Sequence, residues 1–308
     1  MGEGIELRGV IPPLVTPLDP NGNVDAESLK RLVDFVIRGG VSGIFVLGST
    51  GEGAYLPPRQ QVEAAAAALE AARGRVSVLG GVLCPGTPQA VARARALVRA
   101  GVDAVVLTAP YYYSCTADEL ERHFREVRQA VDVPLLAYDV PPHVGLKLDL
   151  ELLFSLYARG VIQGIKDSTG DFARLRRLLY LRPAGLGVFV GTEEWADMAL
   201  LSGAEGVIPG LANVLPGTYR QIYNCAMRGD VAGACAAQEK ILRTLSLMDV
   251  LEGSFTRRAL GLFKILLWKI KVIEHFVVMP PFGAFSESEV KRLLKEVEKL
   301  GFFPSREI

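Results

Sequence analysis

Short apolar runs rich in β-branched residues alternate along this chain with longer segments whose apolar residues recur every three or four positions. The first pattern predicts buried strands and the second predicts amphipathic helices. Eight strands are predicted, at residues 9–16, 43–48, 76–82, 104–109, 134–138, 161–166, 187–191 and 206–210. The helices predicted between them lie at 26–38, 58–73, 88–100, 117–130, 150–158, 171–181 and 194–201.

This alternation predicts the fold class. Strands that are apolar on both faces and alternate with helices belong to parallel sheets. Eight strand–helix units of about 30 residues each match the α/β class and, within it, the TIM (β/α)8 barrel. An open doubly wound sheet is the alternative, but it would carry a GxGxxG turn after its first strand, where this chain has Pro12-Pro13-Leu14.

Four further helical segments follow the eighth strand, at 215–228, 231–250, 256–273 and 287–300. The first completes the barrel, so the other three form an extension. We therefore expect a catalytic barrel at 1–228 and a C-terminal helical module, packed on the barrel, at 229–308. Ser286 and Glu289 predict a capping box at the start of the last helix.

Composition and charge exclude several classes of function. The 34 Lys and Arg residues balance 34 Asp and Glu residues, and no basic stripe is present, so we expect no nucleic-acid partner. Three histidines without an HExxH motif predict no metal site. Four cysteines without CxxC spacing are typical of a cytoplasmic protein. Three lysines interrupt the apolar segment 259–273, which predicts a packed helix and no membrane association.

The candidate chemistry lies where the predicted strands end, because barrel enzymes build their active sites at the carboxyl ends of the strands. Lys166 ends an apolar run, whereas most of the ten lysines lie on helical segments. It is either a salt-bridge partner of Asp167 or a Schiff-base nucleophile. The second role requires burial to lower the amine pKa from about 10.4, since only the neutral amine attacks a carbonyl.

Three other strand ends carry polar groups that have both an ordinary and a functional interpretation. The turn at Ser49, Thr50 and Gly51 is either a common glycine turn or a carboxylate cradle built from hydroxyl and backbone N–H groups. Tyr138 is either a packed aromatic residue or a phenol that transfers protons beside Lys166. Tyr112, within three consecutive tyrosines, belongs either to the site or to a contact surface.

In order and spacing, these motifs resemble one family, that of dihydrodipicolinate synthase and N-acetylneuraminate lyase, over essentially the whole chain. The motifs are Thr16-Pro17, Gly48-Ser49-Thr50-Gly51-Glu52, Pro110-Tyr111-Tyr112, Tyr138-Asp139-Val140-Pro141, Gly164-Ile165-Lys166-Asp167 and Ala212-Asn213-Val214.

The resemblance implies a metal-independent class I aldolase that needs no cofactor, because the intermediate is a covalent imine on Lys166. It makes Tyr138 the proton shuttle and Ser49 a proton relay. Tyr112 would reach the active site of a neighbouring subunit, which implies a homodimer or homotetramer. The positions that the resemblance assigns to substrate binding are Ser49, Thr50, Gly51, His143, Ser168, Gly191, Glu193 and Ile208.

The second substrate is less sharply indicated. His143 stands where the synthase carries an arginine that binds aspartate semialdehyde. Ser49-Thr50 and residues 191–194 resemble the neuraminate lyase branch, whereas residues 166–168 and 211–214 resemble 4-hydroxy-2-oxoglutarate aldolases. We therefore expect a lyase that joins pyruvate to an aldehyde, or cleaves a 2-oxo-3-deoxy sugar acid or 4-hydroxy-2-oxoglutarate-like substrate. Dihydrodipicolinate synthase activity is one alternative, and a retired aldolase that only binds or regulates is another.

Overall fold

The computed structural model describes residues 7–301, and its eight strands form a single parallel barrel. The strand order is β1-β8-β7-β6-β5-β4-β3-β2. A parallel bridge between Pro13 and Phe45 joins the two ends and closes the sheet, so the predicted (β/α)8 barrel is confirmed. The strands are β1 (Gly9–Val10), β2 (Gly43–Val46), β3 (Ser77–Val82), β4 (Ala104–Thr108), β5 (Leu135–Asp139), β6 (Gly164–Asp167), β7 (Gly187–Val190) and β8 (Gly206–Val207).

Helices surround the barrel and continue beyond it. They are α1 (Ala26–Arg38), α2 (Pro58–Ala72), α3 (Thr87–Ala100), α4 (Ala117–Ala130), α5 (Pro141–Val144), α6 (Leu150–Ala158), α7 (Phe172–Leu181), α8 (Ala196–Leu201), α9 (Pro216–Met227), α10 (Val231–Leu245), α11 (Phe255–Lys269) and α12 (Glu287–Leu300). Short 3-10 helices occupy Glu193–Trp195, Gly210–Asn213 and Ser246–Val250. The capping box of α12 is present as predicted.

Several element boundaries differ from the predictions, including the start of β6 at Gly164 where residue 161 was predicted. Strand β1 is shorter than 9–16 because Pro12 and Pro13 have no N–H to donate to a ladder. Strand β8 ends before Pro209 for the same reason. The helix predicted at 231–250 divides into α10 and a 3-10 helix, and the helix predicted at 256–273 ends at Lys269. Helix α5, a single turn that directly follows β5, was not predicted.

The side chain of Asn213 joins the two shortest strands at the mouth of the barrel. It is fully buried and accepts a hydrogen bond from the Val15 N–H at 3.0 Å. Its amide donates to the carbonyls of Pro13 at 2.8 Å and Gly210 at 2.7 Å. These bonds satisfy backbone groups that short ladders leave unpaired.

A fully buried ion pair attaches the C-terminal helices to the turn that follows β2. Lys264 on α11 contacts Glu52, whose other oxygen accepts the Met279 N–H at 2.6 Å. Lys264 also donates to the Val277 carbonyl at 2.6 Å. The helices after α9 thus pack on the mouth of the barrel, and the boundary at 228/229 stays a prediction. No helix between residues 7 and 301 combines the length and apolar character needed to span a membrane.

Candidate active site

A cavity of about 550 Å³ opens at the carboxyl ends of the strands. Most of the residues that the sequence assigned to the site line it together. They are Ser49, Thr50, Tyr138, His143, Lys166, Ser168, Gly191, Glu193 and Ile208. The convergence follows from the fold, because parallel strands of a closed barrel end at the same rim.

Gly51 and Tyr112 lie outside this cavity. Gly51 packs the turn against the chain after β1, where a Cβ atom would come within 2.9 Å of the Leu14 carbonyl oxygen. Tyr112 is 86% exposed and has a φ of 86°, in the left-handed region that non-glycine residues rarely adopt. Its contribution to a neighbouring subunit stays a prediction.

Lys166 is buried at the base of the cavity between two aromatic rings. Its Nζ lies 4.0 Å from the ring centroid of Tyr138 and 4.8 Å from that of Phe45. Burial lowers the pKa of the amine, opposed by the neighbouring Tyr138 and by the charge of Glu193. No ion pair within residues 7–301 includes Lys166, and the salt bridge considered with Asp167 is absent there. The environment therefore favours the neutral, nucleophilic amine.

Tyr138 is held beside the amine by strand register. Tyr138 on β5 is paired directly with Lys166 on β6, so their side chains project to the same face. The Tyr138 hydroxyl lies 3.4 Å from the Ser49 Oγ. Burial raises the pKa of the phenol, but the charge of Lys166 and hydrogen bonds with Ser49, Lys166 and Ser168 outweigh it, so the pKa is lowered. Such a phenol suits proton transfer near the amine.

The absence of a side chain at Gly191 leaves space for the side chain of Lys166. A Cβ atom at this position would lie 2.1 Å from the Ser168 Oγ and 3.2 Å from the Lys166 Cε. Any side chain at Gly191 would therefore displace both groups. Glycine is required here for close approach, at a position that the sequence assigned to substrate binding.

Arg174 fixes the two residues that follow Tyr138 and Lys166. Its guanidinium contacts the Asp139 carboxylate at 2.7 Å and the Asp167 carboxylate at 2.9 Å. Burial raises the pKa of Asp139 to about 6, with Arg174 opposing the rise. Arg174 was not predicted as a site residue, and its only sequence signal is its place three residues after the Asp171 cap of α7.

Glu193 accepts hydrogen bonds from groups on α9, on α10 and on the 3-10 helix that follows β8. Its Oε2 accepts hydrogen bonds from the Leu211 N–H at 2.9 Å and from the Tyr219 hydroxyl. Gln238 donates to its backbone carbonyl at 2.8 Å. Burial raises the pKa of Glu193 to about 7, against the hydrogen bonds from Tyr219 and Leu211. Glu193 was predicted from the sequence, whereas Tyr219 and Gln238, which lie 26 and 45 residues away along the chain, were not.

We predict that Glu193→Gln shifts the pH dependence of amine reactivity at Lys166. Above pH 7 the wild-type carboxylate is charged and raises the pKa of Lys166. Removing that charge lowers the pKa of the amine, so the pH midpoint of borohydride trapping with pyruvate moves down. The rate of trapping between pH 6 and 9 measures it, with Glu194→Gln as the control. Superimposable profiles for Glu193→Gln and wild type would contradict the coupling.

His143 lies on α5 at the rim, between this cavity and an adjoining one of about 310 Å³. Surrounding protein atoms lower the pKa of its imidazole, and the charge of Lys166 lowers it further. The lowered pKa favours the neutral ring, which is not a permanent cation. No cluster of three or more His, Cys, Asp or Glu residues within 7–301 has the arrangement to hold a metal ion.

A closed (β/α)8 barrel with a buried lysine at its strand ends suits the chemistry of class I aldolases. Comparison with known proteins specifies the family. The model of the dihydrodipicolinate synthetase family matches residues 6–300, and the chain belongs to that family. Its members are lyases and synthases that act on pyruvate through a lysine Schiff base without a metal.

Relatives with curated names cover about three quarters of the chain. A 4-hydroxy-tetrahydrodipicolinate synthase from Laribacter hongkongensis is 35% identical over 228 residues, which is 74% of this chain and 78% of that protein. The synthase of the same name from Methylococcus capsulatus is 36% identical over 238 residues, 76% of this chain and 81% of that protein.

Solved structures match almost the whole chain. Dihydrodipicolinate synthase from Bacteroides thetaiotaomicron superposes with a TM-score of 0.90 at 29% identity, covering 96% of this chain and 100% of that one. YagE from Escherichia coli K12, a family member solved in complex with pyruvate, superposes with a TM-score of 0.89 at 25% identity, covering 96% and 99%.

Proposed function

We propose that this chain is a cytoplasmic lyase that forms an imine between Lys166 and a 2-oxo acid and makes or breaks a carbon–carbon bond between pyruvate and an aldehyde. The observation that carries the proposal is the buried Lys166 amine, which has a lowered pKa and lies 4.0 Å from the Tyr138 ring. The pyruvate-bound structure of YagE, a relative in the same family, supports the choice of 2-oxo acid.

Pyruvate binds with its carboxylate at the hydroxyl and N–H groups of Ser49 and Thr50, which line the cavity. The neutral Lys166 amine attacks the ketone carbon. Tyr138, within reach of Ser49, passes protons to the carbinolamine oxygen, which leaves as water. The product of this step is a protonated imine, a strong electron sink for the adjacent methyl group.

Loss of a methyl proton to the Tyr138 phenolate converts the imine into an enamine. The enamine carbon attacks the aldehyde carbon, a carbon–carbon bond forms, and the new alkoxide takes the proton from Tyr138. One water then hydrolyses the imine and regenerates Lys166. Pyruvate and an aldehyde thus give a 4-hydroxy-2-oxo acid with no net redox change, and the reverse sequence cleaves such an acid.

Borohydride trapping tests the imine directly. We predict that reduction in the presence of pyruvate adds one reduced pyruvate to the chain, and that peptide mass spectrometry places it on Lys166. Burial lowers the pKa of the Lys166 amine and so makes it the reactive lysine, whereas Lys264, which is also buried, is ion-paired with Glu52. If no adduct forms under conditions that trap the pyruvate imine of one of the curated relatives, the proposal is wrong.

A second candidate function is condensation of pyruvate with aspartate semialdehyde. The names of the curated relatives favour it. His143, with a lowered pKa, supplies neither the bidentate geometry nor the permanent charge of an arginine for the aldehyde's carboxylate. A coupled assay with aspartate semialdehyde separates the two candidates. Rapid condensation would show that His143 or another group replaces the arginine.

We also propose that the chain works as a homodimer or homotetramer. The support is the pair Tyr112 and Tyr113, which are 86% and 78% exposed and pack edge to face at 4.9 Å. Large exposed aromatic groups on a loop beside the site are typical of a subunit contact. Sedimentation analysis of the wild type and of Tyr112→Ser tests the assembly.

A further inference from the structure

One wall of the active-site cavity comes from the C-terminal helices and is mostly apolar, with Ser254 and Thr256 as its polar members. Phe255, Ala259 and Phe263 recur every four residues on α11 and line the cavity with Leu245 and Met248. The four-residue spacing places the α11 residues on one face of the helix. Phe255 is 60% exposed, so much of its ring is accessible to a molecule in the cavity.

Apart from Lys166, no described lysine or arginine lines the cavity, so a second carboxylate on the substrate would find no cation to pair with. Of the residues within 7–301 that line it, Lys166 alone has an amine or guanidinium group, and its nitrogen is bonded to pyruvate as a neutral enamine when the aldehyde reacts. Five basic residues on the surrounding elements pair with carboxylates. The pairs are Arg174 with Asp139 and Asp167, Lys147 with Asp171, Arg257 with Glu289, Arg258 with Asp249, and Lys264 with Glu52.

Acidic groups in the same cavity strengthen the discrimination. Glu193 and Glu194 both line it. A second carboxylate on the substrate would lie among these groups without a counter-ion, which is unfavourable through both repulsion and lost hydration. An apolar group, in contrast, would displace water from the α11 face.

We propose that the aldehyde partner is uncharged and has a hydrocarbon body, aliphatic or aromatic, that packs on the wall formed by Leu245, Met248, Phe255, Ala259 and Phe263. This inference rests on the proposed imine chemistry and narrows it. It favours 4-hydroxy-2-oxo acids with an apolar tail over those with a second carboxylate, such as 4-hydroxy-2-oxoglutarate. The C-terminal helices would thereby determine specificity, while the strand ends supply the reaction.

Three four-carbon aldehydes test the class at constant chain length. Butanal is neutral and apolar, erythrose is neutral and polar, and succinic semialdehyde is anionic. With pyruvate and the full-length protein, we expect the kcat/KM for butanal to exceed that for each of the others by at least about tenfold. The readout is formation of the 4-hydroxy-2-oxo acid product, measured by mass spectrometry. A higher kcat/KM for erythrose or for succinic semialdehyde would overturn the inference.

Phe255→Arg tests the wall itself, because Phe255 is exposed enough for the change to leave the fold intact. We expect the preference for butanal over succinic semialdehyde to fall by about tenfold, since the variant loses apolar surface and gains a cation. Tyr180→Arg is the matched control, because Tyr180 is 88% exposed on α7 and does not line the cavity. An unchanged preference in Phe255→Arg would overturn the assignment of the wall.

Trapping of the pyruvate imine in the same preparations separates the two levels of the proposal. An adduct at Lys166 together with a preference for charged or polar aldehydes overturns the aldehyde class and leaves the imine chemistry standing. Absence of any adduct overturns both.

Discussion

Replacing Lys166 with methionine is expected to abolish aldol turnover, by roughly 10⁴-fold or more, the scale found when an essential nucleophile is removed. Methionine is unbranched and fills the space between the rings of Phe45 and Tyr138 without an amine. The folded state also loses a desolvated basic group whose pKa burial has lowered. The melting temperature should therefore stay the same or rise slightly.

The stability difference should depend on pH. The unfolded chain keeps the lysine proton up to about pH 10.4, whereas the folded chain releases it earlier. Wild-type stability therefore rises with pH over that interval relative to Lys166→Met, and the advantage of the variant is largest at neutral pH. Thermal unfolding from pH 7 to 10 measures it.

An exposed lysine provides the control. Lys295→Met on α12 removes a charge far from the cavity and should retain both turnover and the pyruvate adduct. A large drop in the melting temperature of Lys166→Met, absent from Lys295→Met, would instead indicate a structural role for Lys166. Residual turnover close to that of wild type would contradict its role as the nucleophile.

The barrel was predictable because its determinants are local. Each strand is an apolar run of a few residues, each helix has its own amphipathic period, and the parallel order follows from their alternation. The predicted boundaries were wrong where the backbone chemistry of a residue overrides the hydrophobic pattern. The run at 9–16 is apolar enough for a strand, but its two prolines leave only Gly9–Val10 in the ladder.

The convergence of Lys166 and Tyr138 was predictable for a different reason. Both residues end apolar runs that are neighbours in sequence order, and neighbouring parallel strands end together. The observed register pairs the two residues directly. Ser49, which follows β2, lies within reach of the Tyr138 hydroxyl, as its place after another predicted strand indicated.

The rest of the site depends on tertiary packing that periodicity does not contain. The contact between Arg174 and two strand-end carboxylates requires a particular rotation of α7 against the barrel. The apolar face of α11 reads in sequence as an ordinary buried stripe, and only the fold turns Phe255 and Ala259 toward the cavity. The hydrogen bond between Glu193 and Tyr219 likewise joins the 3-10 helix after β7 to α9.

Replacing Arg174 with methionine should have the largest effect on stability. The change leaves the buried carboxylates of Asp139 and Asp167 without their counter-ion, and loss of one partner of a buried ion pair costs about 3–5 kcal/mol. Urea unfolding at pH 7 measures the loss. In whatever fraction remains folded, kcat should fall by about 10²-fold, because Arg174 positions the residues after Tyr138 and Lys166.

The loss should shrink in acid, and this dependence distinguishes a charge effect from a packing effect. The pKa of Asp139 is about 6 in the folded protein, above its ordinary value of 3.8, so the folded state binds a proton that the unfolded state does not. Without Arg174 that pKa rises further. Lowering the pH through this range neutralises the stranded carboxyl and restores part of the variant's stability relative to wild type.

Two further variants complete the experiment. Arg177→Met removes an exposed arginine from the same helix and should change stability by less than about 0.5 kcal/mol. Adding Asp139→Asn to Arg174→Met should recover part of the lost stability, because the double variant leaves one buried carboxylate without a counter-ion instead of two. A loss for Arg174→Met that is independent of pH and unaffected by Asp139→Asn would show that the stem of Arg174 matters through packing and that its charge does not.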